Sequence, residues 1–146
     1  MADHYPLLLT AHLLCAMTFG GAVIFEVLIL ESLHRRLPPE TMHAVETGIV
    51  LRARKLMPWV VGLLFVSGLA MLHVRFPHFA GLGDSTLGRL LTVKVGLAGI
   101  VLACFVTALT LFALGGMTPA RFTLIHRVVF TCVVSITVLA KAMFFL

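Results

Sequence analysis

Residues Tyr5–Arg36 read YPLLLTAHLLCAMTFGGAVIFEVLILESLHRR, and this stretch decides the fold. From Pro6 to Leu30 it is almost entirely apolar, and as a helix it would be about 37 Å long, which is enough to cross a bilayer with some tilt. His12 and Glu26 are poorly suited to hydrocarbon. At about 100° per residue they lie within about 40° of each other on the helix. Both are therefore expected to face other helices, either as functional groups or as interhelical hydrogen-bond partners.

The composition of the whole chain agrees with this interpretation. Of its 146 residues 60% are hydrophobic and 12% are charged, and the mean hydropathy is +1.10. These values predict an integral membrane protein. Because no linker or low-complexity tract divides the chain, we expect residues 1–146 to form a single domain. The net charge of +5 is expected to anchor loops at the membrane surface rather than to bind nucleic acid. No nucleophile elbow is present, which argues against a soluble-type hydrolase.

The hydropathy pattern predicts four spans, at about residues 6–30, 57–74, 90–113 and 122–144. Short connections favour antiparallel neighbours, so the expected architecture is an all-α, up-down-up-down four-helix bundle. The first and third loops together hold six Lys or Arg residues and the second loop holds two. The positive-inside rule then places these two loops in the cytoplasm and both termini outside a bacterial-type cytoplasmic membrane.

The first loop carries its own helix signal. Pro38-Pro39-Glu40-Thr41 is typical of a helix start, and apolar residues then recur at helical spacing. We predict a short amphipathic helix on the cytoplasmic surface, either separate or continuing into the second span. Pro58 is expected in the first turn of that span, where proline is tolerated.

This topology assigns a depth to each polar residue. The inner layer contains Glu26, His126 and Arg127. We expect His126 or Arg127 to neutralise the charge of Glu26. The outer layer contains two lysines and two histidines without a carboxylate, and such cations need an anion or must lose their protons. Haem b would satisfy them, because histidines ligate its iron and its propionates attract cations. The residues predicted to hold the haem are His12, His73, Lys94, Lys141 and Arg75, with His12 and His73 as iron ligands.

Copper is the alternative cofactor. Met71-x-His73 combines a thioether with an imidazole near the predicted outer face, a suitable pair for Cu(I). His4 is a second candidate, since removal of Met1 would place it third from a free amine. A third interpretation is a structural or assembly protein without a cofactor.

Short motifs along most of the chain resemble a known family. His12 followed by Phe19-Gly20-Gly21, the run Arg54-x-x-Met57-Pro58 with Ser67-Gly68, and Leu91-x-x-Lys94 are similar to motifs of the copper-resistance D family and of the related HemJ-type protoporphyrinogen oxidases. The resemblance implies a helical membrane protein that binds haem b, in which His12 and Lys94 are functional. The chain has Glu26-Val27 where the HemJ pattern has a Pro-Arg pair.

The expected function is therefore that of a haem b protein engaged in electron transfer or membrane oxidoreduction, with Lys94 as the tentative catalytic residue. Its expected partners are the lipid bilayer and a membrane or periplasmic redox protein. Small residues on spans one to three would also permit a homodimer.

Overall fold

A computed structural model describes residues 2–145. Within them, four helices are long and apolar enough to cross a membrane, as predicted: α1 (Tyr5–Leu33), α2 (Pro39–Arg75), α3 (Thr86–Leu114) and α4 (Pro119–Ala142). Large apolar side chains cover their outer surfaces; Met17 and Trp59, for example, are 72% and 80% exposed. A surface of this kind is stable in lipid rather than in water.

Of the two alternatives predicted for the helix in the first loop, the structure has the one in which it continues into the second span. Helix α2 begins at Pro39 and continues unbroken to Arg75, so the predicted surface helix is not a separate element but the first part of a 37-residue helix. Its length of about 55 Å exceeds the hydrocarbon thickness of about 30 Å. Pro58 therefore lies inside the helix, not in its first turn, and deprives the Arg54 carbonyl of its usual helical N–H donor.

Helix α1 changes its winding near the predicted inner end. It is α-helical over Tyr5–Ile24, π-helical over Phe25–Leu30, and α-helical again over Glu31–Leu33. The Glu31 N–H donates to the Glu26 carbonyl five residues earlier, which is the hydrogen bond that defines a π-helix. Glu26 thus lies on the wider turn of the helix, a conformation that is common at functional sites.

The chain forms two compact units, an N-terminal unit of Asp3–Leu69 and a C-terminal unit that begins at Ala70. In the N-terminal unit, His12 contacts α2 at Leu64 and Ser67, whereas His34 contacts α2 at Glu46. Because the residue numbers rise along α1 and fall along α2, the two segments run antiparallel. Leu30, Met42, Val61 and Ser67 are the most deeply buried side chains of this unit.

In the C-terminal unit, α3 and α4 are joined by a tight turn. The Gly116 N–H donates to the Leu111 carbonyl at 2.9 Å, and Thr118 Oγ1 caps α4 by accepting from the Arg121 N–H at 3.3 Å. The Phe112 and Phe122 rings pack edge to face with centroids 6.3 Å apart. The arrangement of all four helices as an up-down-up-down bundle and the single domain stay predictions.

Gly115 supplies a stability test of this turn. It has a φ of 70°, in the left-handed region, whereas Gly116 does not. We expect Gly115→Ala to destabilise the protein by about 1–2 kcal/mol, because a Cβ is strained in that conformation. Among the described residues nothing lies within 4 Å of the added Cβ, so crowding would not contribute. The measurement is the thermal unfolding midpoint in detergent.

Gly116→Ala is the matched control. Its Cβ would meet only the ends of flexible side chains, at 3.4 Å from Leu111 Cδ2 and 3.7 Å from Arg121 Nη1. We expect a change within about 0.5 kcal/mol. Equal losses from the two variants would contradict the role assigned to the left-handed backbone.

Candidate functional site

His12 connects α1 to α2 through its imidazole ring. Its Nδ1 lies 3.0 Å from the Leu64 carbonyl oxygen and 3.1 Å from Ser67 Oγ. The ring is half-buried, and Ser67 is only 2% exposed. A polar contact between two apolar helices is strong where water is scarce, so this one fixes how the two helices pack.

The neighbours of His12 determine which ring nitrogen carries the proton. The Leu64 carbonyl can only accept a hydrogen bond, and the Ser67 hydroxyl already has acceptors in the Leu63 carbonyl at 2.7 Å and the Leu64 carbonyl at 3.1 Å. Nδ1 therefore faces two acceptors and is assigned as the protonated nitrogen. When the ring is neutral, Nε2 then carries the lone pair, which is the form that a metal-binding histidine needs.

Gly68 provides the space for the His12 ring. A Cβ at this position would lie 3.0 Å from His12 Cε1 and 3.4 Å from Nδ1. One turn of α2, residues 64–68, thus supplies both the hydrogen-bond acceptors and the gap. On α1, the turns that follow His12 bury Cys15 and Phe19, so the histidine belongs to the packed face of its helix, as predicted from its position.

Within its own unit, Glu26 lies near charged groups that the sequence did not associate with it. The charges that act on it most are those of Glu46, His34 and Glu31. His34 Nε2 pairs with Glu46 Oε1 at 2.6 Å and so joins the end of α1 to the first part of α2. The sequence did not predict this acidic neighbourhood, because it depends on how the distant segments around Glu26 and Glu46 pack. The pairing of Glu26 with His126 or Arg127 stays a prediction.

His126 is also fixed by a backbone carbonyl, but within its own helix. Its Nδ1 donates to the Phe122 carbonyl at 2.9 Å, and its ring lies against the Phe122 ring with centroids 4.1 Å apart. This hydrogen bond spans one turn of α4 and does not connect α4 to another helix. His126 is half-buried, and an ordinary packing role accounts for its contacts.

The predicted cationic residues differ in their surroundings. Lys94 is half-buried on α3, and within residues 2–145 its Nζ has no hydrogen-bond or ion-pair partner. Lys141 is exposed, with its Nζ 5.2 Å from the centre of the Phe145 ring. Arg75 is exposed at the last residue of α2. Lys94 is thus the cation for which a bound anion would compensate the loss of water.

The predicted copper pair lies at the end of α2. Met71 is half-buried, whereas His73 is exposed and contacts His78, a residue that the sequence placed only in a loop. The two imidazoles are 5.9 Å apart between centroids and nearly perpendicular. His78 and Phe79 have φ values of 57° and 59°. Such values cost about 1–3 kcal/mol for each non-glycine residue and tend to occur at functional sites.

Among the described residues no three His, Cys, Asp or Glu side chains form a metal-binding group. A haem site does not require one, because the porphyrin supplies four of the iron ligands and the protein one or two. The sequence did not reveal that Leu64 and Ser67 anchor His12. The adjacent Ser67-Gly68 pair was the available signal, since a small polar residue beside a glycine on a spanning helix is typical of close helix contacts.

Comparison with protein-family models, curated proteins and solved structures gives no match to this chain. The resemblance to the copper-resistance D family and to HemJ-type enzymes therefore stays a prediction, carried by the short motifs around His12, Ser67-Gly68 and Lys94.

The contact between Gly68 and His12 can be tested without knowledge of the function. In Gly68→Ala the new methyl group would collide with the ring, and we expect a destabilisation of about 1–3 kcal/mol, measured as the unfolding midpoint in detergent.

Gly62→Ala, on the same helix, is the control. Among the described residues nothing lies within 4 Å of its added Cβ, so this variant should stabilise the helix by roughly 0.5–1 kcal/mol. Equal changes in the unfolding midpoint of the two variants would contradict the close approach of His12 to Gly68.

Proposed function

We propose that this chain is a membrane-embedded haem b protein that transfers electrons, with His12 as a ligand of the haem iron. The observation that carries the proposal is the anchoring of His12 Nδ1 by the Leu64 carbonyl and the Ser67 hydroxyl. Metal-binding histidines usually donate their other ring N–H to a carbonyl or carboxylate, which fixes the tautomer and the orientation of the ring.

The residues that follow His12 on α1 are compatible with a flat apolar ligand. Ala16, one turn after His12, has a small side chain, and Phe19, on the next turn, is an aromatic residue of the packed face of α1. Apolar surroundings would exclude water from the iron and so influence its reduction potential.

Lys94 supports the proposal through its charge. Among the described residues, the half-buried ammonium group of Lys94 has no protein partner. A nearby anion would stabilise its positive charge, and a haem propionate is such an anion. Lys94 would then hold the propionate or, in its neutral form, carry a proton. When bound, the haem supplies one-electron oxidation and reduction at its iron; the chain orients it and excludes water. A membrane or periplasmic redox protein would be the partner.

An absorption spectrum of the purified protein tests the proposal. We expect a Soret band and, after reduction, sharp α and β bands. His12→Ala should abolish them while the protein still inserts, because alanine is well tolerated in a spanning helix. Lys94→Met should retain most of the absorption but shift the midpoint potential.

His126→Ala is the matched control, since it removes another half-buried histidine of a spanning helix. It should leave the spectrum unchanged. Loss of the spectrum in His126→Ala but not in His12→Ala would refute the assignment of the ligand. A colourless protein that retains copper would favour copper handling through Met71 and His73, and a colourless, metal-free protein from haem-replete cells would favour a structural role.

We also propose that both termini lie outside the cytoplasm of a bacterial-type cell. The excess of basic residues in the first and third connections supports this orientation. The first part of α2 contains three of these basic residues, Arg52, Arg54 and Lys55. This cationic end of the long helix would extend beyond the hydrocarbon into the cytoplasm.

A reporter fused after the last residue tests the orientation. Alkaline phosphatase, which is active only outside the cytoplasm, should be active in this fusion, and a reporter that needs the cytoplasm should not be. The reverse pattern would contradict the orientation without affecting the haem proposal.

A further inference from the structure

We propose that His73 and His78 form a binding site for a divalent transition-metal ion, with zinc as the representative ion, at the end of α2. The site involves neither His12 nor Lys94, the two residues to which the haem proposal gives roles, so the two proposals can be tested separately. It assigns His73 to this ion rather than to the haem iron. It also differs from the copper pair predicted in the sequence, because its second ligand is His78 rather than Met71.

The geometry of the two rings carries the proposal. Their centroids are 5.9 Å apart with an angle of 86° between the planes. Two imidazoles bound to one tetrahedral zinc ion through nitrogens at about 2.0–2.1 Å have their centroids about 5 Å apart. The observed separation is somewhat larger than this value, and a side-chain rotation that brings the rings closer would place one nitrogen of each ring on a shared ion. Both side chains are exposed and accessible to an ion from solution.

The backbone provides a second, independent observation. His78 and Phe79 both adopt left-handed conformations, which are unfavourable for a bulky residue such as Phe79. The Phe79 side chain is 53% exposed, so burial of its ring does not explain the conformation. Hydrogen bonds from the Phe79 N–H to the Phe76 carbonyl (2.9 Å) and from the Ala80 N–H to the Pro77 carbonyl (3.2 Å) hold the turn. The result of the strained turn is that the His78 ring lies against His73.

The chemistry of the pair selects the class of ligand. Neutral imidazole suits zinc, copper and nickel, whereas magnesium and calcium prefer oxygen ligands. No third His, Cys, Asp or Glu of the described residues completes the site, so water would fill the remaining positions. A site of two histidines and exchangeable waters binds its ion reversibly and leaves positions open for an incoming ligand.

Calorimetric titration of the full-length protein with ZnCl2 in detergent tests the site. Zinc is chosen because the amine-amide site that His4 would form favours the square-planar geometry of Cu(II) and Ni(II). We expect one zinc per chain. His73→Gln and His78→Gln should each weaken binding at least about tenfold, and the double variant should bind little more weakly than either, because one imidazole alone no longer chelates.

His43→Gln is the matched control, since His43 is also an exposed histidine of α2. It should leave zinc binding unchanged. Unaltered binding in the double variant, or an equal loss in His43→Gln, would overturn the proposal, as would the absence of zinc binding by the natural chain.

Nuclear magnetic resonance of the natural chain with 15N-labelled histidine supplies a second measurement that does not depend on variants. Zinc should shift the ring signals of His73 and His78 together and at the same zinc concentration. A shift of only one of the two, or equal shifts of all histidines, would refute a shared ion.

Discussion

Where His12 meets α2, the packing of the two helices depends on one polar contact, that of His12 Nδ1 with the Leu64 carbonyl and Ser67 Oγ. The apolar side chains on these helices are nearly as stable in lipid as in contact with each other. They therefore permit the two helices to pack but do not determine how far one is shifted along the other. A hydrogen bond between the helices has no such freedom, because its loss would leave the His12 N–H unsatisfied in hydrocarbon. Leu64, Ser67 and Gly68 lie on one turn of α2, and this turn therefore fixes where α1 can lie.

At the opposite end of the same helix pair, the contacts are made by ionisable side chains. His34 pairs with Glu46, and both lie near Glu26, which is on the π-helical part of α1. A π-helical turn holds more residues than an α-helical turn and so changes which side chains face the neighbouring helix beyond it. The N-terminal unit is thus held at one end by a half-buried imidazole and at the other by a partly exposed contact between a histidine and a glutamate, with buried apolar side chains between them.

The sequence predicted the four apolar helices and the inward position of His12, because hydropathy and helical periodicity are properties of the local sequence. It left open whether residues 39–56 form a separate helix or continue into α2, and it placed Pro58 in a first turn. Proline is common in a first turn, but inside a long membrane helix it is also tolerated, because neighbouring helices and water can satisfy the backbone groups that it leaves without a partner. The contacts of His12 with Leu64, of His34 with Glu46 and of His73 with His78 depend on how distant or strained segments meet, and no local pattern encodes them.

The difference between His12 and His126 shows why the former is the better candidate ligand. Both donate Nδ1–H to a backbone carbonyl, but His126 bonds to its own helix at Phe122, whereas His12 bonds to a second helix. A metal on Nε2 withdraws electrons from the ring and makes its N–H a stronger donor. On His126 that change would stay within one helical turn. On His12 it would strengthen the contact between α1 and α2, so ligand binding would stabilise the N-terminal unit by mass action. Ligand binding and helix packing would therefore be coupled at His12, and such coupling would distinguish a ligand position from a histidine that only satisfies its own helix.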